Sequence, residues 1–240
     1  MIVLPAMPPE QTASWHGLLD IHERLDAGWT LIGGQLVHLH CAERGQYPVR
    51  PTNDADTVVD VRADPKMLRI FTSSLVELGF TSAGVSAEGL EHRWIRGPAT
   101  VDVLLPEGIG ERARARLGAT GSPSLSTKGG TQALARSEAV QVTVDGREGS
   151  VLRPNLVGAL ISKAAAHSNV GDRDPRRHRR DFIVLATLLT ASDFRSQQLT
   201  KTELRHLRNV TKAIRGDREL LLGVPGADSA LDRLTRAARL

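Results

Sequence analysis

Cysteine is nearly absent from this chain: the single Cys41 excludes an intrachain disulfide framework and fits a reducing compartment, with a buried thiol as its expected state. No apolar run approaches the ~18 residues of a membrane span, and the N-terminal M-I-V-L-P-A-M-P-P-E lacks the charged start and apolar centre of a signal peptide. A soluble, cytoplasmic protein with no membrane contact is therefore expected. Internal repeats and low-complexity tracts are also missing. His16, His22, His38 and His40 stand at no ligand spacing from a cysteine or an acid, which argues against zinc.

What is present is a globular composition, 40% hydrophobic and 24% charged over 240 residues, enough for one large domain or two small ones. Charge is unevenly distributed. Residues 151–240 carry 17 Lys+Arg against 9 Asp+Glu, a net of +8; the remainder of the chain's 31 and 27 leaves 14 against 18 in residues 1–150, a net of −4. The basic half is suited to meet a polyanion.

Hydrophobic spacing predicts a helix over Gln11 to Ala27, a strand over Trp29 to Ile32 and a helix over Gln35 to Arg44, the last two separated by Gly33-Gly34. A loop from Gly45 to Asn53 then delivers Asp54-Ala55-Asp56 at the head of a second strand. Alternation puts Asp54 and Asp56 on one face, ~7 Å apart along the chain. Two carboxylates on one face need a counter-charge, and Mg²⁺ (or Mn²⁺) takes such oxygen ligands together with substrate phosphates. A Gly-Gly turn at a helix N-terminus offers backbone N–H groups to a phosphate. Asp60 is expected to be a solvated or capping acid, too far along the strand to share an ion with Asp56.

Beyond the Asp strand, Asp64-Pro65 reads as the start of a helix running to Leu78 and stopped by Gly79. Glu91 to Ile95 and Thr100 to Leu105, joined by Arg96-Gly97-Pro98, read as a hairpin whose second arm carries Asp102 among apolar neighbours. Lys128 lies in a Gly/Ser/Thr-rich loop, where it could touch phosphate, although a solvated side chain is the plainer expectation. Ala139 to Val144 alternates as a strand and ends in a hairpin-type turn at Asp145-Gly146, so a first domain is expected to close near residue 150. From Arg153-Pro154 onward the pattern is helical. Lys163 and Asp181 each fall on an apolar helical stripe, which is costly unless each is paired or bound to something. Arg173, Arg176, Arg177, Arg179 and Arg180 cluster within eight residues, a density that suits phosphate backbones or a solvated helix face. Thr200 to Leu240 reads as two or three amphipathic helices.

Gly33-Gly34, followed by Arg50-x-Thr52-x-Asp54-x-Asp56, resembles the signature of the DNA polymerase β-type nucleotidyltransferase superfamily, in the form carried by AbiEii/MenT-type toxins of bacterial toxin–antitoxin systems. Lys163 in L-I-S-K-A-A-A and Asp181 in R-R-D-F-I-V-L match that family's helical-domain residues, whereas its lysine–acid pair shortly before the second acid appears here as Arg177-His178.

The resemblance implies an α/β domain over 1–150, a mixed sheet with flanking helices, followed by a basic helical domain over 151–240. It implies Asp54, Asp56 and Asp102 as metal ligands, Asp102 alternatively taking the proton from the attacking hydroxyl, and Gly33, Gly34, Arg50, Thr52 and Lys163 at a nucleoside triphosphate, with Asp181 orienting Lys163. The implied reaction is Mg²⁺-dependent transfer of a nucleoside monophosphate to an acceptor hydroxyl, the 3′ end of tRNA in such toxins, under control of a cognate antitoxin. Alternatives are the same chemistry on a small molecule, as in aminoglycoside modification, or on a protein, and a catalytically silent nucleic-acid-binding module on the same fold.

Overall fold

The computed structural model describes residues 1–47, 50–168, 174–195 and 197–240. The chain opens with β1 (Ile2–Val3), α1 (Pro9–Arg24), β2 (Trp29–Leu31), α2 (Gly33–Glu43), β3 (Asp54–Val59) and α3 (Met67–Glu77). It continues through β4 (Thr81–Ser82), β5 (Arg93–Arg96), β6 (Ala99–Pro106), α4 (Glu111–Arg114), β7 (Ser126–Thr127) and α5 (Gly130–Leu134). A long hairpin, β8 (Ser137–Val144) and β9 (Arg147–Pro154), leads into α6 (Leu156–His167) and α7 (Pro175–Thr187), and α8 (Lys201–Arg215), α9 (Arg218–Gly223) and α10 (Ala227–Ala238) complete the chain.

The main sheet has the order β2-β3-β6-β5-β4, with β7 also paired to β6. It is mixed: β3 and β7 run parallel to β6, and β2 and β5 run antiparallel to their neighbours β3 and β6. A smaller sheet, β1-β8-β9, stands beside it. Alternation along β3 and β6 turns Ala55, Val59, Val101, Val103 and Leu105 into the main core, where α1 supplies Trp15, Leu18, Leu19 and Ile21, all fully buried. Trp29 and Phe71 meet edge to face at 5.8 Å and 63° within this core, a geometry worth about 1 kcal/mol beyond area burial. The same core runs on without interruption through α6, α7, α8 and α10.

Several local expectations shift. Asp64-Pro65 does not open α3; it forms a turn in which Asp64 accepts a hydrogen bond from the Lys66 N–H at 2.8 Å, and the helix begins at Met67. Asp60 lies just past the end of β3 and accepts from the backbone N–H groups of Arg62 and Ala63, both at 3.1 Å, so it is a turn-capping acid. Asp145 (φ 47°) and Gly146 (φ 79°) make the expected tight hairpin turn. Its second arm, however, is the strand β9, and the helical stretch starts only at Leu156, where the Asn155 side chain caps the Gly158 N–H at 2.9 Å. Residue 150 thus falls inside a strand. In α8, Thr200 and Glu203 form a reciprocal capping box, and Glu203 also takes Arg136 at 2.7 Å, tying this helix to the start of the hairpin.

Candidate active site

The parallel pairing of β3 with β6 sets Asp56 directly opposite Asp102. Because Ala55 and Val101 point into the core, Asp54, Asp56 and Asp102 must all point to the other face of the sheet. There one oxygen from each of the three carboxylates lies within 4.8 Å of the others. Sequence spacing alone left Asp54 and Asp56 about 7 Å apart along the strand; the side chains converge. Below them on the same face, Val58, Leu104 and Ile32 form a small apolar floor closed by Ala133 of α5.

The two glycines explain how so much charge fits in so little space. Gly33 has φ 71°, and a Cβ there would collide with Asp56 Oδ2. At Gly34 a Cβ would lie 2.7 Å from Thr52 Oγ1. Both positions therefore require glycine for close approach of α2 to the Asp strand, whatever their N–H groups bind. Thr52 Oγ1 in turn donates to Asp54 Oδ1 at 3.1 Å, and its carbonyl is held by Gln35 Nε2 at 3.0 Å. The loop ahead of the strand is thereby anchored to α2.

Asp56 sits deep in this electrostatic environment. Although its side chain keeps some contact with solvent, burial by the surrounding protein pushes its carboxyl up to about 7, with the charges of Asp54 and Asp102 adding to the effect and those of Lys163 and Arg177 opposing it. Three converging carboxylates are a poor arrangement by themselves and a good one around a hard cation. The donor set, carboxylate oxygens only, fits Mg²⁺ or Mn²⁺ and does not fit zinc.

Opposite the sheet, α6 and α7 present the two charges noted on apolar stripes. Lys163 Nζ donates to Asp181 Oδ2 at 2.6 Å, with both side chains buried, and Arg50 Nη2 reaches the same oxygen at 3.3 Å. Burial pushes the Asp181 carboxyl up, but the two cations outweigh it and hold it below the ordinary carboxylate value. The pair is both a bridge between helices and part of a cleft wall. Gly33, Gly34, Arg50, Thr52, Asp54, Asp56, Asp102, Lys163, Arg177 and Asp181 all line one cleft of 590 Å³.

His92, Arg93, Ser126, Thr127 and Ser162 also line this cleft and carry no signal of their own in the sequence. Arg93, on β5 directly across from Asp102, donates to Asp102 through Nε at 2.9 Å and Nη2 at 2.8 Å, and through Nη2 to Asp54 at 3.1 Å. Its register was readable from the sequence, since the turn around Gly97-Pro98 fixes which residues face each other. Lys128 is not simply solvated: its Nζ donates to the Ser168 carbonyl at 2.7 Å, and it lines the cleft together with His92, Ser126, Thr127 and Ser162. The arginine cluster divides. Arg176 pairs with Asp217 (3.2 Å) and Glu219 (2.8 Å), and Arg179 pairs with Asp217 (3.5 Å), which ties both to α9 and its cap. Arg177 lines the cleft, Arg180 lines a crevice beside Asp181, and Arg173 lies outside the described residues.

No family model matches the sequence, and neither does any curated protein. Among solved structures, an antigenic nucleotidyltransferase-like protein from Paracoccidioides brasiliensis is similar over 95% of this chain and 94% of its own, with a TM-score of 0.52 at 16% identity. The solution structure of the antibiotic-resistance factor ANT(2'')-Ia matches 89% of this chain and 99% of its own, with a TM-score of 0.46 at 12% identity. The likeness to the first of these is one of fold, shared with a nucleotidyltransferase-like protein. No helix among the described residues is long and apolar enough to cross a membrane. The chain has a nucleotidyltransferase-like fold, a mixed α/β sheet with flanking helices followed by C-terminal helices.

Proposed function

We propose that the protein is a divalent-metal-dependent nucleotidyltransferase. The observation that carries this reading is the convergence of Asp54, Asp56 and Asp102 within 4.8 Å at the bottom of a cleft rimmed by Lys163, Arg50, Arg177 and Lys128. Asp54, Asp56 and Asp102 would hold Mg²⁺ or Mn²⁺, which supplies charge stabilisation for the phosphoryl oxygens and the departing pyrophosphate. Lys163 and Arg177 line the same cleft and would meet the triphosphate, with Asp181 holding the Lys163 ammonium in position. The acceptor hydroxyl oxygen forms a bond to the α-phosphorus, the bridging P–O bond to the β-phosphate breaks, and pyrophosphate leaves with that electron pair. The hydroxyl proton passes to a carboxylate of the cluster or to water.

For the acceptor we propose the 3′ end of tRNA, with the protein acting as a toxin neutralised by a cognate antitoxin. The net +8 of residues 151–240 and the motif resemblance support it. A small-molecule or protein acceptor is favoured by one observation: Arg176 and Arg179 are already neutralised by Asp217 and Glu219 and so contribute little to a polyanion surface. The test is to incubate the protein with Mg²⁺, total tRNA and each labelled nucleoside triphosphate in turn. RNA labelling that needs the metal and is lost in Asp56→Asn supports both levels of the proposal. Labelling of a small molecule or protein alone moves the acceptor, and labelling that survives both EDTA and Asp56→Asn overturns the metal chemistry. On expression in cells, growth arrest relieved by Asp56→Asn tests the toxin role.

A further inference from the structure

Of the six carboxylate oxygens in the cluster, three accept hydrogen bonds from a single side chain. Arg93 takes both oxygens of Asp102 in a two-pronged contact and bridges with Nη2 to Asp54 Oδ2. Thr52 takes a fourth oxygen, Asp54 Oδ1. The guanidinium makes no other hydrogen bond or ion pair among the described residues, so its whole polar role is toward the cluster. It is not buried in a structural niche either: the Arg93 side chain is 44% exposed, whereas that of Asp102 is 7% exposed. A planar cation spanning the oxygens of two candidate ligands, from the open side of the cleft, stands where a divalent cation would find its charge complement.

We propose that Arg93 is the displaceable counter-ion of the carboxylate cluster, a positioning residue for which a divalent metal ion has to exchange before Asp54 and Asp102 can ligate it together. The inference rests on the reading of Asp54, Asp56 and Asp102 as metal ligands. Removing the guanidinium frees three oxygens and deletes a like charge, so metal affinity should rise even though a side chain of the site has been lost. A lysine at the same position keeps the charge but not the two-pronged contact, which separates displacement from simple repulsion.

The experiment is Mn²⁺ binding to purified protein without nucleotide, followed by the spin-resonance signal of the free ion. Wild type, Arg93→Met, Arg93→Lys and Asp56→Asn would be compared, with circular dichroism checking that each is folded. Arg93→Met should bind Mn²⁺ about tenfold more tightly, the equivalent of one charge-assisted bond no longer being broken, and Arg93→Lys should lie between it and wild type. Equal or weaker binding by folded Arg93→Met overturns the proposal, because the arginine would then be supporting the ligands. An Arg93→Lys variant that binds as wild type does overturns the displacement and leaves only repulsion. If Arg93→Met does not fold, Arg93→Lys carries the test alone: tighter binding than wild type upholds the exchange and unchanged binding overturns it. Should Asp56→Asn bind Mn²⁺ as wild type does, the metal-ligand reading itself fails, an outcome separate from any result on Arg93.

Discussion

The two walls of the cleft each hold a cation against carboxylates, in opposite settings. On the helical wall Lys163 and Asp181 are 5% and 7% exposed and meet at 2.6 Å, with Arg50 as a second donor. On the sheet wall Arg93 is 44% exposed and pairs with the partly exposed Asp54 and with Asp102, which is 7% exposed, so that toward Asp102 the cation and not the acid is open to water. A dry pair cannot be broken cheaply, since one partner removed leaves the other charged and unsolvated. A pair with one exposed member exchanges partners more readily, because water compensates the loss at that member. One wall is thus built to stay fixed, and the other to change hands.

Four measurements would break or sharpen that contrast. The largest effect should come from Asp56→Asn, at the centre of the cluster: nucleotidyl transfer should fall about 10³-fold or more at saturating Mg²⁺, with the fold retained by circular dichroism. Next, Lys163→Met should cost about 3–5 kcal/mol, which for a chain of this size lowers the melting temperature by roughly 10 °C. Arg93→Met should cost about 1 kcal/mol or less. Pairing Lys163→Met with Asp181→Leu should recover much of the larger loss, because no buried charge is left alone. Equal penalties for the two single variants would erase the distinction between the walls.

Acidification gives a smaller effect of defined sign. The folded Asp181 carboxyl titrates below its unfolded value, so its contribution is complete above that value, about 3.8, and is lost as pH falls through the folded one. The gap in melting temperature between wild type and Lys163→Met should therefore close as pH is lowered below about 4, where the Asp181 carboxyl, left with Arg50 alone in the variant, becomes neutral. A gap that widens would assign the stability to something other than the ion pair. Smallest of all is the response to salt: about 1 M NaCl should shrink the difference between wild type and Arg93→Met and leave that of Lys163→Met nearly unchanged, as screening acts on exposed charges.

Much of this arrangement could be read from the residues. Charges standing on apolar helical stripes marked Lys163 and Asp181 before any fold was known, because an unpaired buried charge is so unfavourable that a partner must exist. The same-face placement of Asp54 and Asp56 followed from strand alternation, and the lone acid among valines and leucines marked Asp102. Arg93 was harder to see. Exposed arginines in a strand are ordinary, and its significance appears only when the register across Gly97-Pro98 is counted back to Asp102. Strand β9 was missed because Glu148-Gly149-Ser150 lacks apolar alternation and Pro154 suggested a helix start, yet its ladder with β8 is satisfied by backbone pairing. The glycines were assigned to phosphate binding, whereas packing against Asp56 and Thr52 is enough to require them. Steric needs of that kind depend on what lies across the space, which the local sequence does not hold.

The pairing of Asp56 with Asp102 across two parallel strands behaves like a reading frame. Deleting Thr100 would bring Val101 and Val103 to the face of the carboxylate cluster and send the acid into the core that α1 lines. Deleting two would restore the parity while shortening the strand. Among length variants of this segment, even changes should therefore be tolerated more often than odd ones, a rhythm that has nothing to do with which amino acids are chosen.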